Sequence, residues 1–242
     1  MPRFFVPPEQ LYNQKFTLLG SEARHAALVL RKKVGDVIDL FDGKDFSYQG
    51  RIESVSADRV AGVILKEISQ PPTLRAELVL CQALIKGPKW DWLVEKACEV
   101  GVTRLVPLVT ARTVVKPSKP EVRDRWKRIA LAASKQCGRS DVMEVTVPKL
   151  LADALKDLPK DELVLIPWEK ENKMTIRQAC LNHPPFSVHV FIGPEGGWES
   201  QEVDLAIRHE AIPVRLGPTL LRSETAGLVA ATLVLSELGV YS

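Results

Sequence analysis

From residue 73 onward the chain alternates short, largely apolar β-rich runs with helical stretches, and this alternation restricts the fold more than any other feature. The runs are Glu77 to Leu84, Arg104 to Val109, Glu162 to Pro167, Val188 to Ile192 and Val214 to Leu216, with Val145 to Val147 as a candidate further short strand. Strands of this kind joined by helices predict an α/β domain, a parallel sheet covered on both faces.

The first seventy residues follow a different rule. Arg3 to Val6, Lys15 to Leu19, Val37 to Phe41, Tyr48 to Val55 and Val60 to Ile68 read as strands, with Asp42-Gly43 as a hairpin signal and one helix that Ser21 could cap. The expectation is a small barrel-like β domain over 1–70. Pro71-Pro72 stiffens the chain at the boundary, and the α/β domain runs over 73–242.

Apolar residues make up 45% of the chain and charged residues 26%, a globular mixture that excludes disorder. At 242 residues the chain buries enough surface to need neither disulfide nor metal. Cys81, Cys98, Cys137 and Cys180 are scattered with no CxxC spacing, which predicts free thiols in a reducing cytoplasm and no cysteine metal site. No apolar run is long enough for a signal peptide or a membrane span, so a cytoplasmic protein without a membrane partner is expected.

Charge is uneven. The net is +1 over residues 1–72, +7 over 73–150 and −5 over 151–242, which makes the middle third either a polyanion surface or a solvated lysine-rich face. Helical phase is compatible with both a phosphate-facing helix packed on the sheet and an ordinary surface helix. Val122, Trp126, Ile129, Ala133 and Cys137 form an apolar stripe, and Arg125, Arg128 and Lys135 form a basic strip beside it that Arg139 would extend. Trp90, Leu93, Val94, Ala97 and Cys98 form the buried stripe of an earlier helix, and Gly101 stands at its C-terminal cap position. The last helix, Glu224 to Glu237, is apolar almost all round, so it must be covered on every side, inside the fold or by a second subunit.

Two glycine-bearing turns carry the chemistry. IGPEGG, Ile192 to Gly197, follows an apolar strand and precedes a helix that Ser200 could open; it is either a tight turn or a loop whose bare backbone approaches a ligand. It matches neither GxGxxG nor GxxxxGK[ST], so dinucleotide and P-loop readings lose their specific support. LGPTLLRSETA, Leu216 to Ala226, follows the next strand, and Ser223 or Thr225 could cap the helix it enters. The pair is either simple capping or two walls of one pocket.

Together, IGPEGGW and LGPTLLRSETA resemble the ribosomal RNA small subunit methyltransferase E family of the SPOUT superfamily. HAALVLRKKVGDVIDLFDG is similar to that family's PUA-like RNA-binding barrel, and KGPKWDWLVEKACEVGV, Pro107, Arg112 and KQCGR follow in the family's order. The resemblance implies a trefoil-knotted, parallel-sheet methyltransferase domain after the barrel, a fold that ordinary topology rules would exclude. It also implies S-adenosylmethionine as methyl donor and transfer to N3 of one uridine of 16S rRNA, near the decoding centre of the small ribosomal subunit. Methyl transfer from a sulfonium is an in-line displacement that needs no metal, and the apolar helix after Glu224, which needs a cover, predicts a homodimer.

Carried over by residue, Ile192, Gly193, Pro194, Glu195, Gly196 and Gly197 would line the cofactor. Leu216, Gly217, Leu220 and Leu221 would stand opposite, with Thr225 beside them. Arg222, Arg139 and Glu224 are the implied transfer-site residues, and Arg31, Lys86, Lys89, Arg112 and Arg128 the RNA contacts. Thr219 stands where many members carry a basic residue, and Ser223 where many carry threonine. Because uridine N3 bears a proton, either a carboxylate, Glu224 or Glu195, removes it, or an arginine stabilises the developing uridinate, with Arg222 preferred. Two other readings stay open: a knotted methyltransferase of tRNA or large-subunit RNA, and a non-catalytic RNA-binding module.

Overall fold

A computed structural model describes residues 2–68, 77–115, 120–182 and 187–241. Contacts divide the chain into two units, Met1–Pro72 with Ser134–Val142, and Thr73–Ala133 with Met143–Ser242. The Pro71-Pro72 boundary itself falls outside the described residues.

The first unit is built on β1 (Arg3–Phe5), β2 (Leu11–Tyr12), β3 (Lys15–Leu19), β4 (Val37–Phe41), β5 (Ser47–Val55) and β6 (Arg59–Ile68), ordered β1-β4-β5-β6-β3-β2. Only β1–β4 is parallel; the other pairs are antiparallel. The β4–β5 hairpin turns where Asp42-Gly43 signals it, because Asp42 Oδ1 accepts the backbone N–H groups of Lys44, Asp45 and Phe46. Alternate residues Phe16 and Leu18, Ile38 and Leu40 fill the core, with Ala23 and Ala26 from a short helix, α1 (Gly20–Arg24), and the π-helical turn His25–Val29 that continues it. Ser21 does not cap that helix. The chain becomes helical one residue earlier, at Gly20, and Leu19 occupies the cap position without a side-chain bond. The Ser134–Val142 segment is tied into this unit by Lys135, whose ammonium meets both oxygens of Glu22 at 2.8 and 2.9 Å. Arg3 adds a bond of 3.0 Å to the Arg139 carbonyl.

In the second unit β7 (Glu77–Ala83), α2 (Pro88–Val100), β8 (Arg104–Val109), α3 (Pro120–Cys137), β9 (Glu144–Val145), β10 (Lys149–Leu150) and α4 (Leu151–Lys156) come first. They are followed by β11 (Leu163–Pro167), α5 (Ile176–Asn182), β12 (Ser187–Ile192), α6 (Ser200–Arg208), β13 (Ile212–Val214) and α7 (Ser223–Glu237). The sheet order is β10-β8-β7-β12-β11-β13, with β9 beside β8, and every pair is parallel. Successive residues of β7 serve opposite faces. Leu78 and Leu80 join the core formed with α2, α3, α5 and α7, whereas Val79 and Cys81 join the one formed with α4 and α6.

Several sequence expectations shift for identifiable reasons. β13 ends at Val214 rather than Leu216, because its partner β11 stops at Pro167, which pairs with Val214. On α3 the buried positions are Trp126, Ala130, Ala133 and Ser134, while Val122 and Cys137 are exposed, and Trp126 packs on Trp90 at 5.2 Å. Helix α7 buries one face, Gly227, Ala230, Ala231, Val234 and Leu235, against β7, β12, α2 and α5, and leaves Thr232 and Leu233 exposed. All four cysteines are free thiols, and burial pushes Cys81 up to about 12. Among the described residues no helix is long and apolar enough to cross a membrane.

Candidate functional site

Parallel strands present their carboxyl ends on one side, and the loops leaving β11, β12 and β13 share a cavity of about 690 Å³ there. Its walls are Pro167 to Glu169 and Glu171 after β11, Ile192 to Trp198 after β12, and Arg215 to Ser223 with Ala226 after β13; Lys89 reaches it from α2. The two glycine-bearing turns are therefore opposite walls of one pocket. Every cofactor residue expected from the sequence lines it except Thr225, which is exposed in the first turn of α7.

The β12 loop turns through Gly197, which has φ +70° and whose amide bonds to the Pro194 carbonyl at 2.9 Å. Gly193 must be bare for a different reason: a Cβ there would lie 3.1 Å from the Trp198 ring, which is held in place by its indole N–H on the Pro167 carbonyl. The loop exits into α6 through a reciprocal capping box between Glu199 and Glu202, so Ser200 is the first helical residue and not the cap. Arg112 lies along this loop, donating to the Gly196 carbonyl at 2.8 Å and pairing with Glu199 at 3.5 Å.

Ser223 joins the two walls. It does not cap α7, whose cap position is Arg222 with no side-chain bond. Its hydroxyl instead donates to the Gly193 carbonyl at 2.6 Å and accepts the side-chain amide of Gln82 at 2.8 Å. Gln82 is fully buried on β7, and its Oε1 has no partner. A serine hydroxyl has one proton, so the relay runs one way, from Gln82 to Ser223 to Gly193.

Lys89 closes the charged rim. Its ammonium lies 3.1 Å from Glu195 and 3.1 Å from Glu224, and both pairings raise its pKa, the bond to Glu224 foremost. Glu224 is 8% exposed. Burial alone would raise its pKa, but its own backbone amide, Lys89 and Arg222 outweigh that and hold the carboxyl below the ordinary range. Its Oε2 remains buried without a partner.

The other expected residues are dispersed. Arg222 is exposed on the cavity wall, and Lys86 is exposed just ahead of α2. Arg128 is exposed on α3 and donates to the Asp124 carbonyl at 3.4 Å, while Arg125 pairs with Asp91. Arg31 and Arg139 belong to the first unit; Arg31 is exposed with φ +51°, and the Arg139 guanidinium is clasped by both Asp141 oxygens. Trp168, Glu169, Glu171 and Arg215 were not singled out from the sequence. Their position just after β11 and β13 was the available signal.

The residues present suit the sulfonium cofactor that the resemblance implies. S-adenosylmethionine combines an aromatic base, a positive sulfur and a zwitterionic amino acid. The lining offers apolar surface from Ile192, Leu216, Leu220 and Leu221, carboxylates from Glu169, Glu171 and Glu195, and cations from Lys89, Arg215 and Arg222. A Cβ at Gly217 would meet nothing within 4 Å, so the backbone there borders open space. The buried indole N–H of Trp168 is without a partner.

Residues 72–235 match the RNA methyltransferase domain family, and residues 18–65 match the RNA methyltransferase PUA domain. The ribosomal RNA small subunit methyltransferase E of Bacillus subtilis (strain 168) is 29% identical over 245 residues, with 97% of this chain and 96% of that protein covered. The crystal structure of a ribosomal RNA small subunit methyltransferase E from Neisseria gonorrhoeae bound to S-adenosyl methionine is 30% identical, with a TM-score of 0.87 over 98% of this chain and 97% of that one. A putative methyltransferase from Legionella pneumophila, in complex with the bound cofactor SAM, is 29% identical with a TM-score of 0.85, covering 98% and 97%.

Proposed function

The chain belongs to the ribosomal RNA small subunit methyltransferase E family of SPOUT RNA methyltransferases, and from that premise we propose that it methylates N3 of one uridine of 16S rRNA near the decoding centre. The observation that carries the chemistry is the cavity at the carboxyl ends of β11, β12 and β13, with glycine backbone on one wall and Arg222 on the other. S-adenosylmethionine, when bound, supplies an electrophilic methyl group on a positive sulfur. The residues of this chain have to hold a uridine in line with it and stabilise the charge that develops as N3 becomes nucleophilic.

The geometry favours an arginine over a carboxylate for that second task. A general base works best with a pKa near the working pH, and Glu224 is held below the ordinary carboxylate range while paired with Lys89. Glu195 shares the same ammonium. Arg222, at the N-terminal end of α7 and exposed on the cavity wall, can meet a uridine oxygen with a fixed positive charge. Arg139 is the second arginine of the proposal, and Lys86, Arg112 and Arg128 are phosphate contacts.

The test is methylation of isolated small ribosomal subunits followed by nucleoside mass spectrometry of the mapped rRNA. N3-methyluridine in 16S rRNA supports the reading; methyl transfer only to tRNA or large-subunit RNA would move the substrate and keep the enzyme. Loss of one preorganised charge costs about 10²–10³ in rate, so Arg222→Ala should slow single turnover by at least that at saturating RNA. Arg139→Ala should also lower that rate, whereas Arg128→Ala should chiefly raise the RNA concentration required. We also propose a homodimer formed through the exposed strip of α7 around Thr232 and Leu233.

A further inference from the structure

A second cavity, of about 330 Å³, opens within the first unit between the tip of the β2–β3 hairpin, β5 and β6. None of the RNA contacts expected from the sequence lines it. Its walls include Tyr12, Tyr48, Ile64 and Leu65, with Lys15 and Lys66 beside them.

The hairpin tip forms one wall of the hollow. Asn13 and Gln14, its two residues, both have positive φ, 48° and 58°, the geometry a tight two-residue hairpin turn requires. The Gln14 carbonyl accepts the Ile64 amide at 2.7 Å, which pins the tip to β6. The β5–β6 register shifts between Gln49 and Gly50, two residues beyond Tyr48. The tight turn sets Tyr12 opposite Lys15, and Tyr12 stays 76% exposed, a large ring left in water. Tyr48 stacks on Phe46 at 6.5 Å with 28° between the planes. Burial, then Asp42 and Glu67, push the Tyr48 hydroxyl up, so it remains protonated and able to donate.

Aromatic rings, an apolar wall, side-chain amides at Asn13 and Gln14 and two ammonium groups answer to one kind of ligand. A splayed nucleobase needs a ring to stack on and polar groups for its edge, and its flanking phosphates need cations. Glu67 is the one acid on the lining against two lysines, so the balance favours an anionic chain. We infer that this cavity holds one unpaired base of single-stranded RNA, with Tyr12 and Tyr48 supplying the stacking surface and Lys15 and Lys66 facing the adjacent phosphates. The inference rests on the reading that the substrate is RNA, and it adds a base-holding subsite on a unit that carries none of the cofactor cavity.

The experiment uses the full chain and a labelled, mixed-sequence single-stranded oligoribonucleotide, with a matching abasic ribose-phosphate chain as control, read by fluorescence anisotropy. Tyr12→Ala should weaken oligoribonucleotide binding by roughly 5- to 100-fold, the range for losing one base–aromatic stack, and Tyr12→Phe should restore it. The abasic chain should bind wild type and Tyr12→Ala alike. Equal affinity of Tyr12→Ala and wild type for the oligoribonucleotide overturns the inference. So does a loss seen only with Lys15→Met or Lys66→Met and equal for both probes, which would make the rim a phosphate contact. Wild type binding neither probe overturns the RNA reading together with this one, a pattern distinct from binding that ignores Tyr12. Because Tyr12 is exposed the variant should fold, and an unchanged circular dichroism spectrum and thermal unfolding profile check that it has.

Discussion

Replacing Ser223 by alanine removes the hydroxyl that links the two cavity walls, and its consequences can be worked from three groups. The Gln82 amide, fully buried, loses its 2.8 Å acceptor and keeps only the Ala83 carbonyl at 3.5 Å. The Gly193 carbonyl loses its 2.6 Å donor, but Gly193 is half-buried and water can replace the bond. The dominant cost is therefore the orphaned amide, about 1–3 kcal/mol for an unsatisfied buried donor. For a chain of this size that lowers Tm by roughly 2–4 °C per kcal/mol. Gln82→Leu in the Ser223→Ala background should recover most of the loss, because replacing both partners by apolar groups removes the unsatisfied donor as well as the bond. Urea unfolding of the two single variants and the double variant gives a coupling energy, expected at about 1 kcal/mol or more for residues sharing one hydrogen-bond relay. Titration calorimetry with S-adenosylmethionine on the same proteins should show the single variant Ser223→Ala binding more weakly, since the β12 loop has lost its tie to α7. Additive stability effects, within about 0.5 kcal/mol, would refute the claim that Gln82, Ser223 and Gly193 act as one relay.

Gly196→Val should abolish S-adenosylmethionine binding in calorimetry while leaving the unfolding transition in place, because Gly196 lines the cavity and a Cβ there meets the flexible Arg112 side chain at 3.4 Å, so the added branches displace the side chain whose bond to the Gly196 carbonyl holds the loop. Lys89→Met should make the protein lose less stability on acidification. The Glu224 carboxyl is depressed in the folded state, so its contribution is present above the ordinary carboxylate range and disappears as pH falls through the lowered value; an acid-unfolding profile identical to wild type would contradict the pairing. Leu233→Arg should yield monomers in sedimentation while preserving the fold, since Leu233 is 40% exposed; Ala230, fully buried inside the unit, would report on core packing instead. An undisturbed dimer with Leu233→Arg would exclude this strip as the interface.

Periodicity and turn chemistry are local, and what they record was legible from the sequence. The runs at β3, β4 and β8 have the expected limits, Gly101 terminates α2 in the left-handed region, and Asp42-Gly43 turns the β4–β5 hairpin, because each depends on residues within a few positions of itself. The family resemblance and the two glycine-bearing turns were equally visible, since backbone access to a ligand demands particular residues at particular places in a loop.

Only the tertiary structure decided which distant segments meet. Sheet order puts β12 between β7 and β11, and that non-local choice brings Gln82 beneath Ser223 and the loops after β11 and β13 around the glycine loop. Lys89 read as a phosphate contact because a lysine ahead of a basic segment carries no local sign of its partners, and folding places Glu195 and Glu224 on its ammonium. The composition of α7, apolar nearly all round, could not say which face would be covered. The neighbours β7, β12, α2 and α5 took the side bearing Gly227, Ala230 and Ala231, because only small residues let a helix lie that close to a sheet: a Cβ on Gly227 would come within 2.3 Å of Gln82 Oε1.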